Sequence, residues 1–337
     1  MKRRTDQMLF EWATPPRPSP PPPPARRVAP MLSPNARPFT FYLGVHKPHW
    51  LFDPAMQGVP LFISYRQMRE LQDVRSLRPA QTKWCLDSGG FKELSTEGRW
   101  TYDARRYADG VRRFMQECGG LEWAAIMDWM TEECVLSLTG LDVERHQQLT
   151  IDSLIELRTI APDVPWAPVL QGWGIGDHER HLEMYYARGI DLRREPVVGV
   201  GSICRRSATL RAAMMLADLA EHGLRLHALG FKTDGLTNVT LSNRPLGTSL
   251  RGTPWERYGA WLPVWKLLRS ADSTAWSFDA RYSAPLPGCT HQHCNNCQLY
   301  ARRWYENLLA KLEHVDPDAL NNGAGPYPWP EVVIEGR

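Results

Sequence analysis

In Trp84-Cys85-Leu86-Asp87-Ser88-Gly89-Gly90-Phe91 an apolar run of strand length breaks into an aspartate, a serine and two glycines. A parallel strand ends in this way where the chain must turn from a buried sheet toward a crossover helix. The same transition recurs on both sides of it. Strands are expected over 39–43, 61–64, 84–87, 124–128, 168–171, 197–200, 227–230 and, more weakly, 272–276. Helical periodicity separates most of them, over 103–117, 144–161, 178–189, 206–223, 255–270 and 298–313, with Asp103 placed to cap the first of these. Eight strands alternating with helices predict an α/β chain closed as a (β/α)8 TIM-type barrel. The stretch 232–254, rich in Thr, Asn, Gly and Ser, reads as a long loop of the kind that carries function.

The barrel is expected to occupy 37–288. Ahead of it, 1–36 is a proline-rich arm in which Thr14 to Pro30 reads TPPRPSPPPPPARRVAP, a composition that favours an extended polyproline rod without a packed core. Behind it come a cysteine knuckle and a helix packed on the barrel (289–320), then a tail (321–337). No run reaches the roughly 18 apolar residues of a membrane span, and the basic start Met-Lys-Arg-Arg leads into no apolar signal segment. A cytoplasmic protein with no membrane partner is the expectation, with homodimerisation left open. The net charge of +3 permits contact with phosphates but is too small to announce it.

Polar groups end the predicted strands: Asp87 with Ser88, Gly89 and Gly90, then Asp128, Gln171, Gly201 with Ser202, and Asp272 with Ser273. Barrel active sites are built at this end. Any one aspartate can equally cap the following helix, but three at three strand ends point to a shared site. A carboxylate held there, with little solvent, can be tuned for nucleophilic or acid/base work.

The string Asp87-Ser88-Gly89-Gly90-Phe91 resembles a motif of the tRNA-guanine transglycosylase superfamily. Val-Leu-Gln-Gly-Trp-Gly (169–174), Val-Gly-Val-Gly-Ser (198–202) and Leu-His-Ala-Leu-Gly-Phe-Lys (226–232) follow in that superfamily's order, so the likeness spans about 39–314. In length the chain looks closer to the deazapurine-DNA transglycosylases of phages and bacterial islands. The resemblance implies exchange of guanine for a free 7-deazaguanine base in DNA, through a covalent sugar intermediate that retains configuration. It implies Asp272 as nucleophile, with Asp279 as rival, and Asp87 as general acid/base. Asp128 would accept from the base's N1–H and amine, while Gln171 and the Gly201–Ser202 main chain would meet its acceptor edge, beside Ser88 and Gly89. The guanine must be unpaired or flipped out to reach such a pocket, and Phe91, Trp129 and Trp173 are candidate walls. A tRNA-guanine enzyme is the alternative, and a catalytically silent barrel that binds nucleic acid through its knuckle is a third. Among paired arginines, Arg205 and Arg302 are the candidate phosphate contacts.

Three of the seven cysteines crowd into Cys289-Thr-His-Gln-His-Cys294-Asn-Asn-Cys297, which is metal spacing more than disulfide spacing. A structural zinc takes four such ligands. The resemblance implies His314, beyond the cysteines, as the fourth, with His291 and His293 as alternatives.

Overall fold

A computed structural model describes residues 39–69, 71, 77–174, 176–237 and 264–314. Its strands are β1 (Thr40–Val45), β2 (Leu61–Ser64), β3 (Trp84–Asp87), β4 (Leu121–Ala125), β5 (Trp166–Ala167), β6 (Val169–Leu170), β7 (Val198–Val200), β8 (Leu226–Ala228) and β9 (Ser270–Ser273). Every pairing is parallel, in the order β5-β4-β3-β2-β1-β9-β8-β7-β6. The two ends of that order, β5 and β6, are separated in the chain only by Pro168. Proline offers no N–H to a ladder, yet the Pro168 carbonyl accepts from Gly199 N–H at 2.8 Å. β5 and β6 are thus one strand interrupted at Pro168, and through it the nine strands come round as the expected eight-stranded barrel.

Period-two alternation sorts the strands into two layers. Phe41, Leu43, Leu61, Ile63, Trp84, Leu86, Val198, Val200 and Leu226 belong to the main core that meets the helices. Tyr42, Phe62, Cys85, Trp123, Ala125, Ala167 and Val197 form a separate cluster filling the barrel. By the same alternation Asp87 follows Cys85 on the inner face of β3, and Ser270 and Asp272 share the inner face of β9.

Helices Ala104–Cys118, Val143–Ile160, Asp177–Ala187 and Leu210–Glu221 fall close to their expected places. Asp103, Asp142 and Thr209 cap the first, second and fourth, accepting from Arg106 N–H at 2.8 Å, Arg145 N–H at 2.7 Å and Ala212 N–H at 3.2 Å. The cap at Thr209 is why the last of these begins four residues later than 206. The helix expected over 255–270 is not continued at its described end. Val264–Leu267 is a short 3-10 turn, and β9 starts at Ser270, two residues ahead of expectation, because Ser270 pairs with both Thr40 and His227. Of the long loop, Thr233–Thr237 is a helical turn, and the rest lies outside the described residues, as do the proline-rich arm and the tail.

The final helix, Gln298–His314, packs on the barrel, with Trp304 and Tyr305 against Phe41 of β1 at 6.0 and 6.4 Å between ring centres. The knuckle is tied to the helix after β9 by Ser277 Oγ donating to the Asn295 carbonyl at 2.8 Å. Among the described residues, no helix is long and apolar enough to cross a membrane.

Candidate active site

The strand ends bring together residues that are far apart in sequence. Asp87 closes β3 opposite Ser64 of β2. Its Oδ2 accepts from Gly89 N–H at 2.9 Å, and Gly89 itself adopts φ +81°, the left-handed region that other residues avoid. Burial, reinforced by the charges of Asp128 and Asp272, pushes Asp87 up to about 7, against the pull of the Gly89 N–H and the Ser64 hydroxyl. All three carboxylates therefore share one electrostatic neighbourhood.

Asp128, three residues past β4, is buried and held at both oxygens. Ser88 Oγ donates to Oδ1 at 3.1 Å and Gln171 Nε2 to Oδ2 at 2.6 Å. Burial raises it to about 6, and those two hydrogen bonds oppose the rise. The network continues across the mouth, with Ser202 Oγ 2.7 Å from both Gln171 Oε1 and Glu132 Oε2 and accepting from Thr131 N–H at 3.0 Å. Gly201 must be a glycine here: a Cβ on it would lie 2.3 Å from Gln171 Nε2.

Asp272, one residue before the end of β9, is likewise buried, and its Oδ1 accepts from Gly230 N–H at 2.8 Å. Its rival Asp279 lies on the outer helix Ala275–Tyr282, where Oδ2 accepts from Trp304 Nε1 at 2.9 Å. The structure thus separates the two aspartates that sequence left competing, and brings only Asp272 to the mouth.

Of the three candidate walls, Phe91 and Trp173 are each 37% exposed beside the mouth, whereas Trp129 packs edge-on against His146 at 5.3 Å. The Arg205 guanidinium stacks on Phe91, 5.6 Å from the ring centre. Together with Trp173, Glu132, Glu133, Cys134 and Ser137 it lines an open cleft of about 410 Å³ that joins the site at Glu132. Arg302, the other expected phosphate contact, is occupied instead. It donates to the Ala55 carbonyl at 2.7 Å and pairs with Glu306 at 3.1 Å, pinning the last helix to the turn after β1.

Sequence reasoning missed three residues. Arg206 donates to the carbonyls of Gly172 at 2.9 Å, Trp173 at 2.5 Å and Ser202 at 3.2 Å, binding two strand-end loops together. Glu132 enters through the Ser202 bond. His227, on the inner face of β8, sits 3.2 Å from Asp272 Oδ1. Its signal was a histidine within an otherwise apolar strand.

At the knuckle, the ligand atoms of Cys289, His291, Cys294 and Cys297 all lie within 4.8 Å of one another. Cys289 and Cys297 sulfurs are 3.9 Å apart, and His291 Nε2 is 3.1 Å from Cys294 Sγ. The edge of a tetrahedron with Zn–S bonds of about 2.3 Å is about 3.8 Å, so this donor set fits a metal of that kind. His314 is carried away from this cluster by the backbone. It ends a 17-residue helix that starts just after Cys297, and at about 1.5 Å of rise per residue the helix carries it about 25 Å away. His291 is the fourth member of the cluster that could hold a metal, and His293 is not part of it.

No curated protein matches the sequence. The family model for DeoxyPurine in DNA protein A, DpdA, matches residues 38–245 and 252–325. The match takes in all nine strands, the carboxylates of Asp87, Asp128 and Asp272, and the four-residue knuckle, and the chain therefore belongs to the DpdA family.

Proposed function

We propose that the chain is a transglycosylase that exchanges guanine in DNA for a free 7-deazaguanine base through a covalent intermediate on Asp272. Membership of a family described by deoxypurine in DNA supports DNA, not tRNA, as the substrate. The observation that carries the chemistry is the convergence of Asp87, Asp128 and Asp272 at the ends of three strands, close enough for two of the charges to raise the third.

In this reading the extruded guanine lies along Asp128, which keeps acceptor capacity beyond its bonds to Ser88 and Gln171 for the base's N1–H and amine. The Asp272 carboxylate attacks C1′ on the face opposite the base. The C1′–N9 bond breaks, its electron pair leaves with guanine, and Asp87 in its acid form supplies the proton that neutralises the departing base. An incoming 7-deazaguanine then loses its N9 proton to Asp87, and N9 attacks C1′. The C1′–Oδ bond breaks and its electron pair returns to Asp272. Two inversions give net retention. A value of about 7 for Asp87 suits a group that must give and then take a proton near neutrality.

Zinc is the metal proposed for Cys289, His291, Cys294 and Cys297. Four protein ligands leave no open position, so its contribution is to fix the knuckle against the helix after β9.

The test is an unpaired-guanine oligonucleotide incubated with protein and resolved on a denaturing gel, with a labelled 7-deazaguanine chase. Wild type should form an adduct that the base releases, and Asp272→Asn should form none. Adduct in the Asp272→Asn variant, or incorporation into tRNA and not DNA, would refute the proposal.

A further inference from the structure

His227 is fully buried inside the barrel within a box of aromatic rings. Phe62 stacks on it at 5.3 Å, Trp123 meets it edge-on at 4.7 Å and Tyr42 lies 6.0 Å away. Such a box is a costly place for an imidazole unless both nitrogens find partners. Both do. Nδ1 lies 2.9 Å from Ser270 Oγ and Nε2 lies 3.2 Å from Asp272 Oδ1. The register makes this automatic: His227 of β8 pairs with Ser270 of β9, and Asp272, two residues on, shares the face of Ser270.

The partners also fix which nitrogen carries the proton. A carboxylate only accepts, so Nε2 donates to Asp272, and in the neutral imidazole Nδ1 then accepts the Ser270 hydroxyl. Gly230 N–H donates to the same Asp272 oxygen at 2.8 Å. Oδ1 is therefore held twice, by Nε2–H and by Gly230 N–H, which fixes the plane of the carboxylate and leaves Oδ2 as the oxygen these two donors do not engage.

We infer that His227 is the positioning residue of the nucleophile: with Ser270 behind it, it locks the Asp272 carboxylate in one rotamer and favours its departure from C1′ in the second displacement. This rests on the reading of Asp272 as nucleophile. The bond from Nε2–H stabilises the carboxylate more than the ester, so its loss slows release of the covalent intermediate. The aromatic box makes the orientation rigid and keeps water from replacing the imidazole.

The experiment compares His227→Phe, which keeps the aromatic fill and removes both hydrogen bonds, with His227→Gln, which retains an N–H donor, and Ser270→Ala, which removes the Nδ1 partner alone. Folding is checked by circular dichroism and thermal unfolding. For His227→Phe, kcat should fall about 10- to 100-fold, the range expected for one hydrogen bond to a charged group, and KM for DNA should fall with it, because the slowed step follows formation of the adduct. Adduct should persist longer when chased with a 7-deazaguanine. His227→Gln should recover most of the rate, and Ser270→Ala should lose only a few-fold. A folded His227→Phe variant with wild-type kcat and adduct lifetime would overturn the inference, as would a loss confined to KM. If His227→Phe does not fold, His227→Leu, which also lacks an N–H donor, takes its place, and wild-type kcat and adduct lifetime in that folded variant would overturn the inference equally. Failure of the underlying reading looks different: wild type would then yield no adduct, or Asp272→Asn would still yield one.

Discussion

Gly201→Ala tests the proposed recognition network of Asp128, Gln171 and Ser202 at its tightest point. A methyl at this position would stand 2.3 Å from Gln171 Nε2, 2.6 Å from Cδ and 2.7 Å from Oε1, all well inside contact distance. The amide is the far end of a flexible side chain, but Gln171 is fully buried and bonded at both ends, so it can move only by breaking its bonds to Asp128 and Ser202. The bond to the carboxylate is worth about 1.5–3 kcal/mol and the neutral one about 1 kcal/mol. Losing most of this in the substrate-competent state lowers kcat/KM by about 10²- to 10³-fold.

The same displacement removes a bond that restrains Asp128, whose value of about 6 then climbs further under burial. In the proposed reaction Asp128 accepts from the base as a carboxylate, so the acidic limb of kcat/KM should move to higher pH. The assay is base exchange into an unpaired-guanine oligonucleotide across pH 5 to 9, alongside Gln171→Ala and the double variant. Because both changes disable one side chain, their effects should be far from additive. Wild-type kcat/KM in Gly201→Ala, or losses that simply add, would refute the argument.

Titration of Asp87 should reach both stability and activity. Its fold-raised value of about 7 lies above the ordinary carboxylate range near 3.9, so the stability present below about pH 4 is lost as pH rises toward 7. Asp87→Asn should therefore melt higher than wild type at pH 8, by about 2–4 °C, with the two curves meeting near pH 4, while exchange is abolished. A lower melting point at pH 8 would argue against the buried charge. Metal analysis should return close to one zinc per chain. His291→Ala should lose it to a chelator that leaves wild type loaded, and His314→Ala should retain it; the reverse pattern would restore the helix-end ligand. Arg205→Ala should reduce the slope of DNA binding against salt by about one. Arg302→Ala should leave that slope unchanged, because its guanidinium is already taken by Ala55 and Glu306.

What the sequence disclosed was local and repetitive. An aspartate and glycines after an apolar run mark a strand end whatever the tertiary context, which is why Asp87, Asp128 and the barrel itself were legible. Closely spaced cysteines behave in the same way. What stayed hidden depended on register and length. His227 becomes a neighbour of Asp272 only through the pairing of β8 with β9. The fourth knuckle ligand turns on how straight and long the last helix is, and family precedent pointed to His314 where the geometry gathers His291. Arg302 looked like a free cation because nothing in its own segment foretells the carbonyls of Ala55 and Gln57. The break at Pro168 splits one strand between two ladders, visible in sequence only as a proline in an expected strand.

Ser202 shows how these pieces act together. It is the one non-glycine residue with positive φ among the described residues, at 54°, a conformation that costs about 1–2 kcal/mol for an ordinary side chain. Its hydroxyl repays that strain with contacts to Thr131, Glu132 and Gln171. The direction of the whole chain follows from its first member. Asp128 as a carboxylate offers no proton, so Gln171 must turn Nε2 toward it and Oε1 toward Ser202. In the proposed reaction a guanine-type edge brings donors to Asp128 and is accepted, whereas adenine would present its N1 lone pair to the carboxylate and be repelled. Selection of the base then comes from that repulsion as much as from attraction, and it requires that the amide cannot rotate. The strained serine on one side and the glycine that leaves Gln171 no other room are what hold it still.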